Sequence, residues 1–127
     1  VIKNKRFSYK KVDKNKLELY TYKGRFSKAA DGDTIRMKLD LGFGLLMDKK
    51  LRLRGINTPG ILTEEGIAAK RYVERKLRQA DMILIKTYRR DLYDRYLADV
   101  YYSRGKSREK YLNLELIDKG LAKLFIS

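Results

Sequence analysis

The segment that most constrains the fold lies at residues 35–41, between two glycine-containing turns. Apolar and charged residues alternate there in the order Ile35, Arg36, Met37, Lys38, Leu39, Asp40, Leu41. A period of two is typical of a β-strand that buries one face and exposes the other. The pattern recurs at residues 51–54, where leucines alternate with arginines. The chain therefore contains strands that need partners on both sides.

Three further strands and two helices are expected. The strands run from Leu17 to the turn at residues 31–33, over residues 82–85 and over residues 97–102. The first helix begins at Thr63, a good N-cap, and its apolar face consists of Ala69, Val73, Leu77 and Ala80. The second spans residues 112–119 and ends before Gly120.

The order of three strands, helix, two strands and helix predicts a mainly β protein of the OB-fold type. In that fold five strands form a Greek-key barrel, here with one helix between strands 3 and 4 and another near the C-terminus. Residues 17–127 are expected to form one domain. Residues 1–16, which are rich in lysine, are expected to form a basic arm.

The charge balance and the missing residue types limit the possible functions. With 31 Lys and Arg against 16 Asp and Glu, the net charge of +15 favours a polyanionic partner, first of all DNA or RNA. The absence of His and Cys excludes the usual zinc sites and histidine-based catalysis. No apolar run reaches the roughly 18 residues of a membrane span. We expect a monomer without a membrane partner, and the cellular compartment stays open.

Three short segments combine turn residues with charge. They are Asp-Gly-Asp-Thr at 31–34, Leu-Arg-Leu-Arg-Gly-Ile-Asn-Thr-Pro at 51–59 and Asp-Leu-Tyr-Asp-Arg-Tyr-Leu-Ala at 91–98. Each alone is explained by a hairpin turn, a strand face or an ion-paired loop. Together with the closing run at 112–122, and in this order, they resemble the thermonuclease (staphylococcal nuclease-like) family. The resemblance covers about residues 22–125.

The resemblance implies a calcium-dependent phosphodiesterase that acts on DNA and RNA. In that family calcium lies between carboxylates and the phosphate, two arginines hold the phosphate, and a glutamate positions or activates water. Hard cations prefer oxygen ligands, and guanidinium groups match phosphate oxygens in pairs.

Several positions match the family's functional residues. Arg52 and Arg95 match the two catalytic and substrate-binding arginines, and Tyr93 matches a tyrosine near the phosphate. Asp33 and Thr58 match metal ligands, the latter through its main-chain oxygen. Asp91 matches an aspartate that is mainly structural.

Two positions depart from the family pattern. Asn57 replaces the second metal-binding aspartate, so Asp33, Asn57 and Thr58 form a site with one negative charge fewer. Because ligand charge tunes calcium affinity, we expect a weak or vacant site. Gly60 replaces the catalytic glutamate and cannot activate water. In addition, Asp94 stands where the family prefers glycine, and we expect it to weaken the hold of the arginine on phosphate.

These observations leave three hypotheses. The first is a nucleic-acid-binding domain, for single strands, with impaired or lost hydrolysis. The second is an active metal-dependent endonuclease in which Glu64 or Glu65 supplies the base, although the dipole of the predicted helix already accounts for both residues. The third is a protein-interaction scaffold on the same barrel. The preference between DNA and RNA stays open.

Overall fold

The computed structural model describes residues 19–126. The predicted basic arm at residues 1–16 and the start of the first strand at Leu17 lie outside this range. The elements follow in the order β1 (Thr21–Ala29), β2 (Thr34–Asp40), β3 (Leu46–Leu53), β4 (Ile56–Asn57), α1 (Glu64–Gln79), β5 (Met82–Arg90), β6 (Tyr96–Ser103), β7 (Lys110–Tyr111), α2 (Leu112–Asp118) and β8 (Lys123–Leu124).

Five of these strands close into a barrel. Antiparallel pairs join β3 to β2, β2 to β1, β1 to β5 and β5 to β6, and a parallel pair between β3 and β6 completes the ring. The closing pair sets Arg52 opposite Leu97. The fold is thus mainly β with two helices, and the predicted OB-fold barrel is confirmed.

The alternating pattern of β2 packs as the sequence predicts. Ile35, Met37 and Leu39 are buried in the core, whereas Lys38 and Asp40 are exposed. Helix α1 adds Val73 and Leu77 to this core, and α2 adds Leu112 and Leu116. Burial of this apolar surface is the main force that holds the barrel and helices together.

Helix α1 begins where the sequence predicts. The Thr63 hydroxyl accepts a hydrogen bond from the Gly66 amide at 3.0 Å, so Thr63 is the N-cap. Close packing of the preceding loop requires Gly66, because a Cβ there would lie 1.9 Å from the Gly60 carbonyl oxygen. Gly60 itself has no atom within 4 Å of its hypothetical Cβ. The predicted apolar face of α1 is buried at Ala69, Val73 and Leu77, and Ala80 is the half-buried C-cap of the helix.

Helix α2 is fixed to the barrel by Asn113, which is buried. Its Oδ1 accepts from the Val100 amide at 3.1 Å, and its Nδ2 donates to the carbonyls of Arg54 at 2.9 Å and Ala98 at 3.0 Å. One side chain therefore bridges the segment after β3 and strand β6. Gly120, with φ of 73°, follows the helix as predicted.

Two strands are longer than the sequence predicts. Strand β3 starts at Leu46, five residues before the predicted leucine pattern, because its first half pairs with β2 although its side chains are mostly exposed. Strand β5 continues from the predicted apolar run to Arg90 along β6. In residues 19–126, no helix is both long and apolar enough to cross a membrane.

Candidate functional site

Asp33 lies buried in the turn between β1 and β2, with 7% of its surface exposed. Its Oδ2 accepts a hydrogen bond from the Thr58 amide at 2.9 Å, and its Oδ1 accepts one from the Thr34 hydroxyl at 3.2 Å. Burial by itself would raise the pKa of Asp33, but hydrogen bonding with Asp31 and the charge of Arg52 outweigh it and lower the pKa. The carboxylate is therefore ionised at neutral pH.

Arg52 points inward from the end of β3 and is only 8% exposed. Its Nη1 lies 3.3 Å from Asp33 Oδ2 and donates to the Leu53 carbonyl at 3.1 Å. Its Nη2 donates to Asn57 Oδ1. The guanidinium group of Arg52 thus contacts Asp33 and Asn57, two of the three residues that the family resemblance assigns to the metal site.

Arg95 approaches the same turn from the loop between β5 and β6. Its Nε and Nη2 each lie 2.8 Å from Asp91 Oδ2, and its Nη1 donates to the Thr34 hydroxyl at 3.0 Å. The Thr34 hydroxyl in turn donates to Asp33, which forms an ion pair with Arg52, so a chain of hydrogen bonds and one ion pair connects the two arginines.

Asp91 organises the loop that carries Arg95. Its Oδ1 accepts from the backbone amides of Tyr93 at 2.9 Å and Arg95 at 3.0 Å. Burial opposes ionisation, but these bonds outweigh it and lower the pKa of Asp91. The charge of Asp91 therefore holds both the backbone and the side chain of Arg95, which supports the structural role that the resemblance implies.

A cavity of about 570 Å³ opens over this cluster, and we call it the arginine pocket. Among the residues that the structure describes, one carboxylate, that of Asp91, and five arginines line it: Arg52, Arg54, Arg89, Arg90 and Arg95. Tyr93 stands at its rim, 74% exposed, with its ring centroid 5.2 Å from the Arg95 guanidinium carbon. Such a density of guanidinium groups around a cavity suits a phosphate-bearing ligand.

The residues at the predicted metal site do not fit calcium, which takes six to eight oxygen ligands. Both Asp33 oxygens and the Asn57 oxygen already accept hydrogen bonds, and the Thr58 hydroxyl is the one buried side-chain oxygen in residues 19–126 without a partner. Within that range no three Asp, Glu, His or Cys residues form a metal-binding group. The guanidinium of Arg52 supplies the positive charge next to Asp33.

Sequence reasoning did not assign a role to Asp31, although the Asp-x-Asp spacing could have suggested one. Its Oδ1 accepts from the Asp33 amide at 3.0 Å. Burial raises the pKa of Asp31, and the neighbouring Asp33 adds to the effect. The Asp31 carboxylate thus fixes the backbone of the turn that carries Asp33.

The positions considered for a catalytic base are exposed and make no hydrogen bond or ion pair with this cluster among residues 19–126. Gly60 is exposed in the loop before α1, and Glu64 and Glu65 are exposed in the first helical turn. In the described part of the chain neither glutamate makes a hydrogen bond or ion pair with Asp33 or the arginines. Their position favours the helix-dipole explanation.

Asp94, which stands where the family prefers glycine, forms an ion pair with Arg90. Its carboxylate pairs with Arg90 at 3.1 Å, whereas Arg95 pairs with Asp91, and the expected weakening of the hold of Arg95 on phosphate stays a prediction. Asp94 has φ of 61°, in the left-handed region that glycine adopts most easily.

A second buried carboxylate, Asp99, was also missed. It is 2% exposed and accepts from Arg54 Nε at 3.1 Å, Arg54 Nη2 at 2.8 Å, and the hydroxyls of Tyr88 and Tyr111 at 2.6 Å each. The Arg54 guanidinium carbon lies 4.4 Å from the Tyr88 ring centroid. The signal in the sequence was a lone acid within the apolar run Leu-Ala-Asp-Val.

Comparison with known proteins agrees with this architecture. The family model described as staphylococcal nuclease homologue matches residues 50–127, which is more than half of the chain. The matched region includes Arg52 and Arg95 and the substituted positions Asn57 and Gly60. No curated protein matches the chain as a whole. With the barrel and the ordered motifs already described, this match shows that the chain belongs to the staphylococcal nuclease homologue family.

Proposed function

We propose that this domain binds single-stranded DNA or RNA at the arginine pocket and has lost most or all of the hydrolytic activity of its family. The observation that carries the proposal is the lining of that pocket, which among residues 19–126 includes five arginines and one aspartate, although four of the arginines also form ion pairs with aspartates. Charge-assisted hydrogen bonds from guanidinium groups are the main means by which proteins hold phosphates.

Arg95 is the best-placed phosphate ligand in the pocket. Asp91 fixes its Nε and Nη2, and Thr34 fixes its Nη1, so the side chain loses little further entropy on binding. Because one guanidinium offers five N–H groups, protons remain for a ligand. The net charge of +15 adds a long-range attraction for any polyanion.

The loss of hydrolysis follows from the same contacts. Asn57 brings no charge and its oxygen is bonded to Arg52, while the exposed Gly60 carries no carboxylate to activate water. A general base alone contributes about 10²–10⁴-fold to a rate, and loss of the metal site adds to this deficit.

The binding proposal is tested by fluorescence anisotropy with a labelled single-stranded oligonucleotide over a range of salt concentrations. Arg95→Gln should weaken binding about tenfold and reduce the logarithmic salt slope by about 0.7, the value for one phosphate contact on a single strand. Arg36→Gln is the matched control, because Arg36 lies on β2 and pairs with the exposed Asp48 at 3.8 Å. Equal effects of the two substitutions would contradict a specific pocket.

The loss of hydrolysis is tested by restoring the two acids. An Asn57→Asp, Gly60→Glu double variant should gain calcium-dependent cleavage of single-stranded DNA or RNA, which chelator abolishes. The structure leaves room for the second change, since nothing lies within 4 Å of a Cβ at Gly60. Efficient cleavage by the unmodified protein that is lost in Glu64→Gln or Glu65→Gln would overturn this part of the proposal and identify an active nuclease.

A further inference from the structure

The arginine pocket adjoins a second and larger cavity. This cavity, which we call the aromatic groove, has a volume of about 1070 Å³. The two cavities share the lining residues Arg54, Gly55, Arg89, Leu97 and Phe125. Binding sites of drug-sized ligands measure about 300–1,000 Å³, so the groove has room for more than one nucleobase.

The lining of the aromatic groove combines aromatic rings with positive charge. Its rings are those of Tyr20, Tyr22, Tyr88, Tyr96 and Phe125. Its charged residues are Lys49, Arg54, Lys86 and Arg89, and no Asp or Glu of the described segment lines it. Lys49 Nζ lies 5.6 Å from the Tyr96 ring centroid, so cation and ring are presented together. Stacking rings beside cations are the two components with which proteins hold single-stranded nucleic acids.

Arg54 stands at the junction of the two cavities in a fixed orientation. Asp99 holds its Nε and Nη2, and the Tyr88 ring centroid lies 4.4 Å from its guanidinium carbon. Its Nη1 makes no hydrogen bond within residues 19–126, and the side chain is 45% exposed. A guanidinium held in this way can donate to a phosphate without moving.

We propose that a single strand bound in the arginine pocket continues past Arg54 into the aromatic groove. Arg54 contacts the next phosphate, a following base packs near Tyr96, and Lys49 lies beside the backbone beyond it. This inference rests on the proposed function and specifies its ligand as an oligonucleotide longer than a dinucleotide. Paired bases are stacked inside a duplex, so the groove favours single strands.

The test compares affinities for a labelled dinucleotide and a hexanucleotide of the same bases. The hexanucleotide should bind far more tightly to the unmodified protein, because stacking alone contributes about 5- to 100-fold per base. Lys49→Gln should reduce the ratio of the two affinities about fivefold, and the salt slope for the hexanucleotide by about 0.7. Lys50→Gln is the matched control, since neighbouring strand residues point to opposite faces and Lys50 does not line the groove.

Tyr96→Leu and Arg54→Gln provide independent variants, with thermal unfolding to confirm that each folds. Both should reduce the affinity ratio more than Lys50→Gln does. If the dinucleotide binds in an Arg95-dependent way but length adds nothing, or if Lys49→Gln and Lys50→Gln behave alike, the groove is not on the path of the strand and only this inference fails. If no oligonucleotide of either length binds, the proposed function fails with it.

Discussion

Among single substitutions that replace a carboxylate by the corresponding amide, Asp99→Asn should destabilise the domain most. Each Asp99 oxygen accepts one bond from Arg54 and one from a tyrosine hydroxyl. Whichever way an asparagine amide is placed, its NH₂ group faces one guanidinium N–H and one hydroxyl. The hydroxyl can rotate and accept, but the guanidinium cannot.

The expected decrease in the free energy of unfolding is about 3 kcal/mol. A hydrogen bond to a charged group contributes about 1.5–3 kcal/mol, and the bonds that survive lose their charge assistance. Because the Arg54 side chain is 45% exposed, water can replace part of the hydrogen bonding that its guanidinium group loses. The loss of stability is therefore smaller than for a fully buried ion pair. For a chain of 127 residues this lowers Tm by about 10 °C.

Chemical and thermal unfolding followed by circular dichroism measure the change. Asp48→Asn is the control, because the Asp48 pair with Arg36 is 3.8 Å long and exposed, and it should cost no more than about 1 kcal/mol. Burial would raise the pKa of Asp99, but its bonds with Arg54 and the tyrosines lower it below 3.8. The stabilisation is therefore present above pH 3.8 and is lost as the pH falls through the lowered pKa. If Asp99→Asn and Asp48→Asn cost the same at pH 7, the reasoning is refuted.

Two further predictions concern α1. Gly66→Ala should lower the free energy of unfolding by about 1–3 kcal/mol, because its Cβ would lie 1.9 Å from the Gly60 carbonyl oxygen. Gly60→Ala is the control and should leave the stability nearly unchanged, because nothing lies within 4 Å of its Cβ. Similar melting temperatures for the two variants would contradict the close packing of the loop. Tyr72 donates a hydrogen bond to Glu115, and burial, together with that bond, raises the pKa of Tyr72 from 10.0 to about 12. The stability advantage over Tyr72→Phe should therefore be complete below pH 10 and lost by about pH 12, and unfolding free energies that keep a constant difference between pH 8 and pH 12 would show that the bond does not form.

The elements of the fold were predictable where their signals are local. Thr63 and Gly120 mark helix ends because capping depends on residues within one turn. The burial of Ile35 and Met37 follows from alternation within one strand. The first half of β3 was missed because exposed strand residues carry no such alternation, and only pairing with β2 defines it.

In the candidate site, too, the residues in local motifs were predictable and the long-range contacts were not. Motif order identified Asp33, Arg52 and Arg95, which the structure connects through hydrogen bonds and one ion pair, although their roles stay predictions. The glycine that the family prefers at position 94 is consistent with the positive φ of Asp94, but the ion pair between Asp94 and Arg90 was not predicted. The bond between Arg54 and Asp99 joins positions 45 residues apart and forms only when the barrel closes.

The buried side chain of Asn113 gives helix α2 a part in barrel closure. Its three bonds to backbone groups on both sides of the seam between β3 and β6 form only when helix and barrel are assembled together. Separation of α2 would deprive the Val100 amide and the Arg54 carbonyl of the partner that Asn113 supplies, which is costly, whereas the Ala98 carbonyl would still accept from the Arg54 amide. The seam and the helix therefore unfold as a single cooperative unit, and the Val100 amide hydrogen exchanges with solvent only when the whole domain opens.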